Sequence, residues 1–144
     1  MVENITTHGR HVRVNLGKAQ GFHTILGQNN GKAQIIEVIE EANTNGHYKA
    51  TVKVLNPNPP PPYIIKQQNS GIPIENDMFA DHWDANRLFE EVSYAFVNKI
   101  YSGKKNQWVG FMSDGNPCVI CINNTAHIID GTTEIKTAWP MITF

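Results

Sequence analysis

Three of the chain's six histidines fall within sixteen positions, His8 to His23, in the run His-Gly-Arg-His-Val-Arg-Val-Asn-Leu-Gly-Lys-Ala-Gln-Gly-Phe-His. Imidazole titrates near neutral pH, so one ring can accept a proton while a second gives one up. Two such rings with fixed positive charge beside them suit proton transfer at a phosphodiester, one as general base and one as general acid. Arg10, Arg13 and Lys18 supply local charge in the same run. A site of this kind also needs a cation for the phosphate and a surface for the base, and these must come from elsewhere in the chain.

Other chemistries are less well supported by residue spacing. His8 and His11, with Cys118 and Cys121, can be drawn as a four-ligand zinc site. Cys118-Val-Ile-Cys121, however, lies in an apolar strand pattern, where positions three apart point to opposite faces. Nothing basic beside either cysteine lowers a thiol pKa. No phosphate-cradling glycine loop precedes a helix, and no aromatic signature of an RNA-binding sheet is present. Glu90-Glu91 is expected on a solvated helix face, and His47, His82 and His127 are expected to be structural.

The elements that must position the histidines follow from hydrophobic period and turn chemistry. Val12 and Val14 mark a short strand, Gln34–Glu40 a second and His47–Leu55 a third, the last two joined by the Asn43–Gly46 turn as a hairpin. Asn56–Pro62 is stiff and extended, expected as a rigid spacer within one domain, and Tyr63–Lys66 resumes a strand. Gln67–Asp77 reads as loop. From Asp84 to about Ile100 the period is helical, with Asp81 or Asp84 as cap and Gly103 just past the end. Four short strands are expected after it, over 108–111, 118–122, 127–129 and 134–139. The prediction is a single α+β domain over 1–144, mainly antiparallel sheet with one principal helix at about 84–100.

A length of 144 residues suffices for one buried core, and a net charge of −1 supplies no long-range basic field for nucleic acid. Two cysteines make no disulfide framework, no apolar run reaches membrane-spanning length, and no signal sequence is evident. The expectation is a soluble protein, cytoplasmic or a secreted toxin acting in the cytoplasm of a target cell.

Gly17-Lys-Ala-Gln-Gly-Phe-His23 resembles the second-histidine motif of the bacterial EndoU-type, uridylate-preferring endoribonucleases, and the 15-residue separation from His8 resembles that family's spacing. The resemblance continues through Gly46-His-Tyr48 and through Met78-Phe-Ala-Asp-His-Trp83 before the helix. It closes with Glu134-Ile-Lys-Thr-Ala-Trp-Pro140. Ala80 stands where the family often has proline, and Trp139 where it usually has tyrosine. Either His8 or His11 fits the first histidine: spacing favours His8, the following strand His11.

This resemblance implies an EndoU-like fold and RNA cleavage 3′ of uridine by 2′-OH attack, leaving a 2′,3′-cyclic phosphate and a 5′-OH. His8 or His11 and His23 would exchange protons, Lys66 would face the phosphate oxygens, Thr137 would bond the pyrimidine edge and Trp139 would stack on the ring. No metal or other cofactor is required by such a scheme, although manganese stimulation is compatible with it. The expected partner is single-stranded or tRNA-like RNA, with an immunity protein if the domain is a toxin. No membrane partner and no DNA cleavage are expected. Two other readings remain: a pancreatic-ribonuclease-like bacterial toxin domain, and a non-catalytic module whose proline run docks a partner.

Overall fold

The computed structural model describes residues 13–15, 18–56, 61–122 and 135–142. His8, His11, the expected strand over 127–129 and most of the proline run lie outside the described residues.

An antiparallel ribbon of β1 (Arg13–Asn15) and β2 (Lys18–Gln20) opens the described chain and leads into a short helix, α1 (Leu26–Asn29). The first large sheet is built around β4 (Tyr48–Leu55). Its alternation is fully expressed: Tyr48, Ala50, Val52 and Val54 are buried, and the residues between them are half-buried or exposed. One edge of β4 carries β3 (Ala33–Glu40). The other edge carries β5 (Tyr63–Ile65) and β6 (Asn76–Met78) end to end. Gly46 closes the β3–β4 turn with φ +91°, and a Cβ there would lie 2.9 Å from that of Ala80, so the turn requires glycine.

The second sheet has the order β10-β9-β8-β7 and is antiparallel throughout. Its strands are β7 (Ile100–Tyr101), β8 (Gln107–Phe111), β9 (Pro117–Ile122) and β10 (Ile135–Pro140). Helix α2 (Ala85–Val97) packs Leu88, Val92, Ala95 and Phe96 against Cys118, Ile120, Ile122 and Ala138. Asp84 caps it, accepting a hydrogen bond from Arg87 N–H at 2.8 Å. Asp81 instead accepts one from the Tyr48 hydroxyl.

Three expectations are corrected. The helix stops at Asn98, whose side chain takes the Tyr94 carbonyl and both backbone groups of Phe111, and Ile100 pairs with Val109 as strand. Gln67–Asp77 is not all loop, since it runs into β6. Strands β4 and β5 pair up to Asn56, whose N–H donates to the Pro62 carbonyl at 2.8 Å, while most of the proline run expected as a spacer between them lies outside the described residues. Glu91 is buried rather than solvated, held by Ser113 and Arg87. Burial alone would raise its carboxyl, but these partners hold it below the ordinary value.

Candidate active site

The site grows out of the turn that follows β2. Gly21 and Phe22 both have positive φ, 82° and 69°, a conformation phenylalanine adopts only when its surroundings impose it. Here Phe22 is fully buried in the first core among Ala33, Tyr48, Val52 and Val54. That anchor presents His23 to β6. The His23 carbonyl accepts from Phe79 N–H at 2.8 Å, and its ring Nδ1 lies 2.8 Å from the Asp77 carbonyl oxygen. A carbonyl can only accept, so Nδ1 carries the proton and the neutral ring has its lone pair on Nε2.

The Trp139 indole stacks on this ring, with centroids 5.3 Å apart and planes 30° from parallel. Trp139 reaches it because Ala138, one residue earlier on β10, points into the helix core, turning Trp139 and Thr137 to the opposite face of the sheet. Thr137 is buried, and its hydroxyl has no hydrogen-bond partner among the described residues.

Lys66 enters from the end of β5. Its backbone is pinned on both sides, N–H to the Val52 carbonyl at 2.9 Å and carbonyl to Ile74 N–H at 3.0 Å. Its ammonium donates to the Gly21 carbonyl at 2.9 Å and to Asn76 Oδ1 at 2.6 Å. Burial pulls its pKa down to about 8, against the favourable charge of Asp77. Asn76, itself buried, donates through Nδ2 to the Phe22 carbonyl at 2.6 Å. Burial raises the Asp77 carboxyl above its ordinary range despite Lys49, 3.6 Å away.

His23, Lys66, Asn76, Asp77 and Trp139, with Glu75, line one open pocket of about 230 Å³. Three of the expected site residues are thus brought together: His23, Lys66 and Trp139. Thr137 lies on the same strand face as Trp139 but does not line the pocket, and His8 and His11 lie outside the described residues. Asn76 and Asp77 escaped the sequence reading because a three-residue strand is too short to show a period.

His47 is fully buried, and Cys118 lies in the helix core with its thiol pKa driven up by burial, while Cys121, on the other face, is half-buried.

A family model described as bacterial EndoU nuclease matches residues 3–142. The chain belongs to the bacterial EndoU nuclease family. Searches of curated proteins and of solved structures return no match. The family match spans both sheets and α2, and the pocket lies between the sheets: His23 and Lys66 come from around the first sheet and Trp139 from the second.

Proposed function

We propose that this EndoU nuclease is a metal-independent endoribonuclease that cleaves RNA 3′ of uridine. The observation that carries the reading is the proton inventory of the pocket. His23 has its Nδ1 proton committed to the Asp77 carbonyl, which leaves Nε2 as the atom that gains or loses a proton. Lys66 has two of its three N–H bonds committed, to Gly21 and Asn76, which leaves the third for a non-bridging phosphate oxygen.

In the reaction, one neutral histidine removes the ribose 2′-OH proton as the oxygen attacks phosphorus. The other, protonated, delivers a proton to the departing 5′-oxygen. The products are a 2′,3′-cyclic phosphate and a 5′-OH. His23 takes one role through Nε2, and His8 or His11 takes the other. Each transfer contributes roughly 10²–10⁴-fold. Lys66 offsets negative charge accumulating on the phosphoryl oxygens. Trp139 supplies a stacking face for the pyrimidine, and Thr137, behind it on the same strand face with no hydroxyl partner among the described residues, would reach the pyrimidine edge only if substrate binding opens the wall of the pocket. Released inside a target cell, this activity would act as a toxin, and an immunity protein would then need to cover the pocket.

The test uses a labelled strand with one ribouridine among deoxynucleotides, in EDTA, beside an all-deoxy control. Cleavage 3′ of the ribouridine with a cyclic-phosphate end, abolished by His23→Ala and by Lys66→Ala, supports the reading. Cleavage of the all-deoxy strand, or activity that returns only with manganese, overturns it.

A further inference from the structure

We infer that Asn76 is a positioning residue for Lys66, fixing both where the ammonium points and how many of its hydrogens remain for a phosphate. The inference rests on the nuclease reading for its catalytic consequence, but the arrangement stands on its own geometry. Asn76 is buried, and both ends of its amide are used. Oδ1 accepts from Lys66 Nζ at 2.6 Å and Nδ2 donates to the Phe22 carbonyl at 2.6 Å, with Met78 Sδ at 3.1 Å. An ammonium can only donate and a carbonyl can only accept, so the amide cannot turn over without losing both bonds. The side chain therefore ties the cation to the Gly21–Phe22 turn that presents His23, and the two functional groups move as one unit.

The count of hydrogens gives this tie a chemical meaning. A protonated Lys66 has three N–H bonds, and Gly21 and Asn76 take two. A neutral amine has two, and the same two acceptors take both. Only the protonated form has a donor left for substrate. An acceptor at Asn76 favours that protonated form, because a hydrogen bond to the charged state raises a lysine pKa against the pull of burial. Among the described residues, the charged and titratable groups around Lys66 are His23 on the turn, Glu75 before β6, Asp77 on it, and Lys49 of β4 beside Asp77.

The experiment is an NMR titration of the lysine side chains in free protein, with the Lys66 signal assigned by its absence in Lys66→Met. Asn76→Asp, nearly the same size, places a carboxylate on the ammonium and raises the Lys66 midpoint by about 1–3 pH units. Asn76→Leu removes the acceptor and lowers it. With a ribouridine substrate, Asn76→Leu reduces kcat about 10- to 100-fold, the worth of one hydrogen bond to a charged group, with a smaller change in KM. The alkaline limb of the rate profile moves with the midpoint in each variant.

A Lys66 midpoint unchanged in folded Asn76→Asp overturns the inference, as does an alkaline limb that stays fixed while the midpoint moves. If Asn76→Leu fails to fold, Asn76→Asp carries the test alone. The titration needs no substrate, so a wild-type protein that cleaves no RNA sinks the nuclease reading while the midpoint still decides the role of Asn76.

Discussion

On the proposed mechanism, the charge of a single lysine places one limit on the alkaline side of activity. An exposed lysine stays charged to about pH 10, whereas burial brings Lys66 down to about 8. Since the neutral amine has no hydrogen to spare, kcat/KM is expected to fall about tenfold per pH unit above that value, the slope of one deprotonation. A rate profile with a ribouridine substrate checks it, and a rate still flat at pH 9.5 would show that the charge on Lys66 is not required. Thr137 is the second informative residue, because burying an unpartnered hydroxyl costs free energy. Thr137→Val keeps the shape and removes that cost. It is expected to unfold about 1 kcal/mol later in urea while losing preference for ribouridine over other ribonucleotides. A loss of stability would mean that the hydroxyl has a role in folding instead.

At the level of elements, α2 and β8 approach each other closely at Gly110. A Cβ on Gly110 would lie 1.9 Å from the Ala95 carbonyl oxygen, inside any tolerable contact and against backbone rather than a flexible side chain. Gly110→Ala must push the helix off the sheet and should cost about 3 kcal/mol in a denaturant titration, at the upper end of overpacking penalties. A cost below about 1 kcal/mol would mean that the helix moves freely. Nothing in the sequence marks Gly110 as special, because a close approach depends on a partner distant along the chain. Elements with their own signal were legible: the alternation of β4, the cap at Asp84 and the helical stripe through Phe96 all hold. Elements defined by pairing alone were not. β6 and β7 are three and two residues long, and each exists because β4 or β8 offers it an edge. The same limit hid half of the site. His23 and Trp139 lay in recognisable motifs and Lys66 stood where the resemblance expects a lysine, while Asn76 is picked out only by what the fold places beside it. Ile36, Val38 and Ile39 show the converse, since an apolar strand pattern on β3 predicts core and these side chains are exposed.

Across the whole molecule, the joint between the two sheets rests on His47 at the start of β4. Its Nδ1 accepts from Ala80 N–H at 3.1 Å, so its proton sits on Nε2, 2.8 Å from Asp114 Oδ2 on the β8–β9 turn. Asn43 Nδ2 to Asn116 Oδ1, 2.9 Å, makes a parallel tie. Burial pulls the His47 pKa below its ordinary 6.5 even with Asp114 beside it, so the folded state prefers the neutral ring. The consequence for stability has a definite sign. Above the unfolded-state value of 6.5 the ring is neutral in both states and the joint contributes fully. As pH falls below it the unfolded chain takes up the proton first, and stability is lost until the folded pKa is passed. Urea unfolding at pH 7.5 and 5.5 should therefore show a lower midpoint at the lower pH. His47→Gln should start from a lower midpoint, having lost packing against Phe79 and Trp83, yet fall less between the two pH values. An equal fall in both proteins would assign the acid sensitivity to other groups. An acid-weakened joint would in turn loosen Trp139 of the second sheet from His23 beside the first, so activity should decline together with stability on the acid side.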